Sequence, residues 1–79
     1  MATVHREAGL RFIIFVDDHE PAHVHVLGDG HAKINLAGAD GKTELVSNDG
    51  FKAGDLRKAL RIVRDQQAAM QAKWDEIHG

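Results

Sequence analysis

His19, Glu20, His23 and His25 fall within seven residues of one another, in the stretch His19-Glu20-Pro21-Ala22-His23-Val24-His25-Val26. Near neutral pH an imidazole can carry a proton, bind a metal or hydrogen-bond to phosphate. The first five residues spell the zinc-protease pattern His-Glu-x-x-His. That motif needs a helix to bring both histidines onto one face. Pro21 stands in the middle and the residues after it alternate polar and apolar, so a strand is expected and the protease reading is rejected.

Two other chemistries stay open. No cofactor is required by the sequence, but His19, Glu20, His23 and His25 together offer nitrogen ligands and a carboxylate suited to zinc, nickel or non-haem iron. A metal-free ribonuclease, in contrast, needs a base, an acid and a cation for the phosphorane. His23 and His25 would supply the acid and base, Glu20 would orient or charge one of them, and Lys33 with Arg11 would hold phosphate. The plainer alternative is a set of histidines that only solvate the wet face of a hairpin.

The elements that must position these residues can be read in outline. Leu10-Arg11-Phe12-Ile13-Ile14-Phe15-Val16 is rich in β-branched and aromatic residues, and a strand over about 10–16 is expected, covered on both faces. Strands over 23–27 and 31–36 follow, joined by Gly28-Asp29-Gly30. A two-residue turn at Asp29-Gly30 would put His25 opposite Ile34 and mix the faces. A three-residue loop with Gly30 left-handed puts Val24 opposite Ile34, Val26 opposite Ala32, His25 opposite Lys33 and His23 opposite Asn35. Burial favours the second register, because it keeps one face apolar.

A short fourth strand is expected over 42–46, with Ser47-Asn48-Asp49-Gly50 breaking the sheet. One helix is expected over about 54–77, with Leu56, Leu60, Val63, Met70, Trp74 and Ile77 on one stripe. Such a helix spans roughly 35 Å, so its end can overhang a small sheet, where Trp74 would be a partner-binding anchor; in a domain this small a core position for Trp74 is the commoner alternative. The expected architecture is α+β: one domain over 1–79, an antiparallel sheet of three to four strands packed against one long C-terminal helix.

Size and charge bound the function. The chain has 79 residues, no cysteine, 43% apolar and 28% charged residues, and a net charge of −2. No run approaches the roughly 20 apolar residues that cross a bilayer, and the first residues do not read as a signal peptide. A cytoplasmic protein with no membrane role is the simplest expectation. Residues 1–51 carry a balance of −4 and residues 52–79 a balance of +2. Arg57, Arg61 and Arg64 lie beside the apolar stripe, where they could track RNA phosphates or an acidic partner; a solvated helix face is the alternative. The few aromatics argue against a base-stacking platform.

The chain resembles the DUF4160 family of small bacterial proteins. The likeness rests on Arg11-Phe12, on His19-Glu20-Pro21 running into His23-Val24-His25-Val26, and on the glycine turn. It continues through Ala32-Lys33, Glu44-Leu45 and Gly50-Phe51 to Leu56, Leu60 and Trp74. Ala22 stands where many members of that family carry a second proline, and Asn35 where an aromatic is common among them. The resemblance implies one half of a toxin–antitoxin-like pair, with a small protein partner of the DUF2442 type. It places the functional surface on His19, Glu20, Pro21, His23, His25 and Lys33. The readings that follow are a toxin acting on RNA, a non-catalytic antitoxin or interaction module, and a histidine-based metal-binding protein. Self-association is a further option.

Overall fold

A computed structural model describes residues 2–79. Its strands are β1 (Ala2–Glu7), β2 (Leu10–Ile14), β3 (His23–Leu27), β4 (His31–Asn35) and β5 (Glu44–Asp49), and its helices are α1 (Ala53–Asp65) and α2 (Gln67–His78). The strands form one antiparallel sheet in the order β1-β2-β3-β4-β5. Among the described residues, no helix is long and apolar enough to cross a membrane.

This corrects the expected fold in two respects: the sheet has five strands rather than three to four, and the single long helix is two helices. The extra strand is β1. Its hairpin to β2 turns at Ala8 and Gly9, both at positive φ (54° and 77°), the backbone signature of a two-residue hairpin turn that matches strand twist. β2 stops at Ile14, short of residue 16, because Phe15 to Asp18 form a turn closed by Asp18 N–H to the Phe15 carbonyl at 3.1 Å. β5 runs to Asp49, through the residues expected to break the sheet. β4 needs an outer partner along its length, and His31 pairs with Asp49. Asn48 still performs turn chemistry. Its side chain accepts from the Phe51 N–H and donates to the Phe51 carbonyl, both at 3.1 Å, closing the path into α1.

The helical stripe breaks at Gln66 (φ −104°, ψ 14°). Neither glycine nor proline marks the break, although sharp helix bends usually need one of a few such causes. A tertiary contact accompanies it: the Gln67 side-chain amide donates to the carbonyls of Leu36 and Gly41, in the connection between β4 and β5. The break folds α2 back against the sheet, so Met70 and Trp74 are 1% and 2% exposed.

The core lies on one face of the sheet. Phe12, Ile14, Val24, Val26, Ala32 and Ile34 meet Ala59, Ile62 and Val63 of α1 and Met70 and Trp74 of α2. The expected hairpin register holds, with His23 opposite Asn35, Val24 opposite Ile34, His25 opposite Lys33 and Val26 opposite Ala32. Gly30 is not left-handed as expected. It is required for close approach, since a Cβ there would lie 2.5 Å from the Phe51 nitrogen and 2.7 Å from the Gly50 carbonyl carbon. Strand alternation then sends His23, His25 and Lys33 to the face opposite Val24 and Val26.

Candidate functional site

The site begins at the turn after β2. Asp18 accepts a hydrogen bond from the Phe15 N–H at 3.0 Å through Oδ2. That bond fixes the carboxylate over the polar face at the start of β3. There Oδ2 lies 3.3 Å from His23 Nε2, and Oδ1 lies 3.4 Å from His25 Nε2. The other nitrogen of each ring is also engaged. His23 Nδ1 lies 2.9 Å from the Pro21 carbonyl, which can only accept, so Nδ1 carries the hydrogen. His25 Nδ1 lies 3.1 Å from His31 Nε2, and the two rings stack at 5.3 Å.

Aromatic neighbours hold the rings in place. The Phe15 ring meets His25 edge-on at 4.8 Å, His23 and His25 meet edge-on at 5.1 Å, and Trp74 lies 5.2 Å from His23. His23 is buried, and Asp18 and His25 keep only partial exposure at the side chain. Burial works against the Asp18 charge, but the Phe15 amide and the two imidazoles outweigh it and hold the carboxyl below the usual aspartate range. Burial pushes His25 downward, and the neighbouring His23 and His31 add to this against the pull of Asp18.

The other expected residues are distributed differently. Lys33 faces His25 across the β3–β4 pair and is half-buried. Arg11 is exposed on β2 opposite Leu27, one step along the same face. His19 is exposed and Glu20 accepts from Trp74 Nε1 at 3.2 Å, so neither joins the cluster. Of the two expected placements of Trp74, the structure has the core one and not the exposed anchor. Arg57, Arg61 and Arg64 line a groove of about 410 Å³ with Thr43 and Leu60. Because α1 covers the apolar face of the sheet, this groove and the His25–Lys33 pair lie on opposite sides.

Two residues of the cluster were not read from the sequence. Asp18 lies outside the histidine-rich stretch, and its signal was the turn it caps. His31 was readable: the three-residue register already set it diagonal to His25, within reach of a ring.

Fold and site together define a small α+β protein with an open-edged antiparallel sheet, whose polar face carries a preorganised histidine–carboxylate cluster. The chain belongs to the DUF4160 family, described as a domain of unknown function, which it matches over residues 9–75. No curated protein and no solved structure gives a significant match to it.

Proposed function

We propose that this chain is the partner-binding half of a toxin–antitoxin-like pair and that its partner adds a strand to β5. The observation that carries this reading is the edge itself. β5 ends the sheet, all six of its residues are exposed, and Leu45 and Val46 are 38% and 47% exposed. An edge strand with apolar side chains and unpaired backbone groups is a template for an incoming strand. The opposite edge is less open, since α2 packs beside β1.

Charge selects the kind of partner. Two copies of β5 paired antiparallel about their centre would set Glu44 against Asp49 twice, and like charges directly opposite destabilise a strand pair. The better match is a different protein, with an apolar strand flanked by lysine or arginine. A DUF2442-type protein is the candidate that the family resemblance supplies. The test is co-expression followed by size-exclusion chromatography. A one-to-one complex is expected, lost in Val46→Lys and kept in Arg61→Ala. A complex indifferent to Val46→Lys would refute strand addition.

A second reading, RNA binding, is favoured by the arginine groove. Arg64 also borders an adjoining hollow of about 450 Å³ with Lys42, Thr43 and Gln67, so cations line both cavities. Phosphate contacts of this type make affinity fall with salt. Single-stranded RNA should bind with a salt slope that shrinks in Arg57→Ala/Arg61→Ala/Arg64→Ala; an unchanged slope would remove this reading. Cleavage is not part of it, because His23 is buried and Glu20 is engaged by Trp74.

A further inference from the structure

We propose that Asp18, His23 and His25 form a mononuclear binding site for a divalent first-row transition metal such as zinc. Each residue offers one ligand atom, and these atoms lie within 4.8 Å of one another. Metal–ligand bonds of about 2.1 Å in a tetrahedron leave about 3.4 Å between ligand atoms. Asp18 Oδ2 stands 3.3 Å from His23 Nε2 and Oδ1 stands 3.4 Å from His25 Nε2, each close to that edge length, so modest closure brings one oxygen into reach of both rings. A direct charge-assisted N–H to carboxylate bond would be shorter, about 2.7–2.9 Å.

Hydrogen bonding supports the same conclusion. The Pro21 carbonyl fixes the hydrogen of His23 on Nδ1. In the neutral ring, Nε2 then presents a lone pair to the Asp18 carboxylate, acceptor against acceptor, deep in the structure. A cation between them resolves the conflict. His25 also aims Nε2 at Asp18, with Nδ1 directed at His31; where His31 Nε2 accepts from Nδ1, the Nε2 lone pair of His25 likewise faces the carboxylate. Metal-binding histidines characteristically donate their other ring N–H to a backbone carbonyl or another acceptor, which sets the tautomer and the ring orientation. Here Pro21 and His31 take that part. Asp18 is held in turn by the Phe15 amide.

The donor set indicates the class of ion. Two imidazoles and one carboxylate suit zinc, nickel or ferrous ion, and not calcium or magnesium, which take oxygen ligands. Three protein ligands leave a position for water or an exchangeable ligand, the pattern of reactive rather than purely structural zinc sites. The site differs from the one the sequence suggested: Asp18 replaces His19 and Glu20. The proline places the Pro21 carbonyl beside His23 instead of letting a helix form.

The test is a titration of the full-length, untagged, metal-stripped chain with zinc chloride, read by calorimetry and by the ring ¹⁵N resonances of the histidines. One zinc per chain is expected, with the Nε2 signals of His23 and His25 moving and those of His5 and His19 staying. Asp18→Asn should abolish one-to-one binding, and His31→Ala should weaken it about 10- to 100-fold. His25→Ala, on a partly exposed side chain, is the second variant should Asp18→Asn fail to fold. Cobalt(II) taken up by the wild type should give visible d–d absorption that is absent in the folded variant. Undiminished zinc affinity in a folded Asp18→Asn or His25→Ala chain would overturn the site. So would a wild type that takes up none of zinc, nickel or ferrous ion.

Discussion

Replacing Trp74 by alanine separates two accounts of the C-terminal helix. A continuous helix would carry Trp74 beyond the sheet, where its loss would weaken a partner and leave folding alone. In the structure, the break at Gln66 returns Trp74 to the core, where it is 2% exposed. Its ring lies 5.2 Å from His23 and stacks on His78 at 3.9 Å, and its indole N–H reaches Glu20. Truncating a buried aromatic to alanine costs about 3–5 kcal/mol. A chain of this size has roughly 4–12 kcal/mol in total, at about 0.05–0.15 kcal/mol per residue. Each kcal/mol shifts the midpoint of so small a domain by about 4–8 °C, so Trp74→Ala should lower Tm by about 12 °C or more. Far-UV circular dichroism is the assay, since the variant lacks the only tryptophan. A loss below about 1 kcal/mol, the range of surface substitutions, would refute the buried placement and restore the overhanging helix.

Three further substitutions probe the scaffold. Gly30→Ala should destabilise by about 1–3 kcal/mol in urea unfolding, because the new methyl meets the backbone of Asp49, Gly50 and Phe51 rather than a flexible side chain. Ala8→Gly should raise Tm by a few degrees, since Ala8 sits at φ 54°, a left-handed conformation that costs an L-residue about 1–2 kcal/mol. Gln67→Ala removes the donor shared by the Leu36 and Gly41 carbonyls; it should cost about 1–2 kcal/mol and speed amide exchange across residues 37–43.

The legible part of the fold was set by local pattern and burial. Val24, Val26, Ala32 and Ile34 share one buried face with a three-residue loop and not with a two-residue turn, so the pairing of His25 with Lys33 was legible in the sequence. What escaped depended on distant partners. β1 has few strand-forming residues, and its identity comes from pairing with β2 through a turn in which an alanine adopts a glycine-like conformation. Ser47 to Asp49 have turn chemistry but are extended because β4 requires an outer neighbour. The helix break has no local marker and coincides with the Gln67 contact to the β4–β5 connection. The same division holds in the site. His23 and His25 stood out by their spacing. Asp18 joined them only through a turn that folds the end of β2 back over the sheet, and Glu20 was drawn away by a tryptophan 54 positions along the chain.

The proposed function rests on the open sheet edge formed by β5. Amide hydrogen exchange on the chain alone and with a DUF2442-type partner tests this most directly. Slowed exchange confined to the outward amides of Glu44–Asp49, with β1 unchanged, is the predicted result. Protection on β1, or on the arginine face of α1 with β5 still exchanging freely, would contradict it.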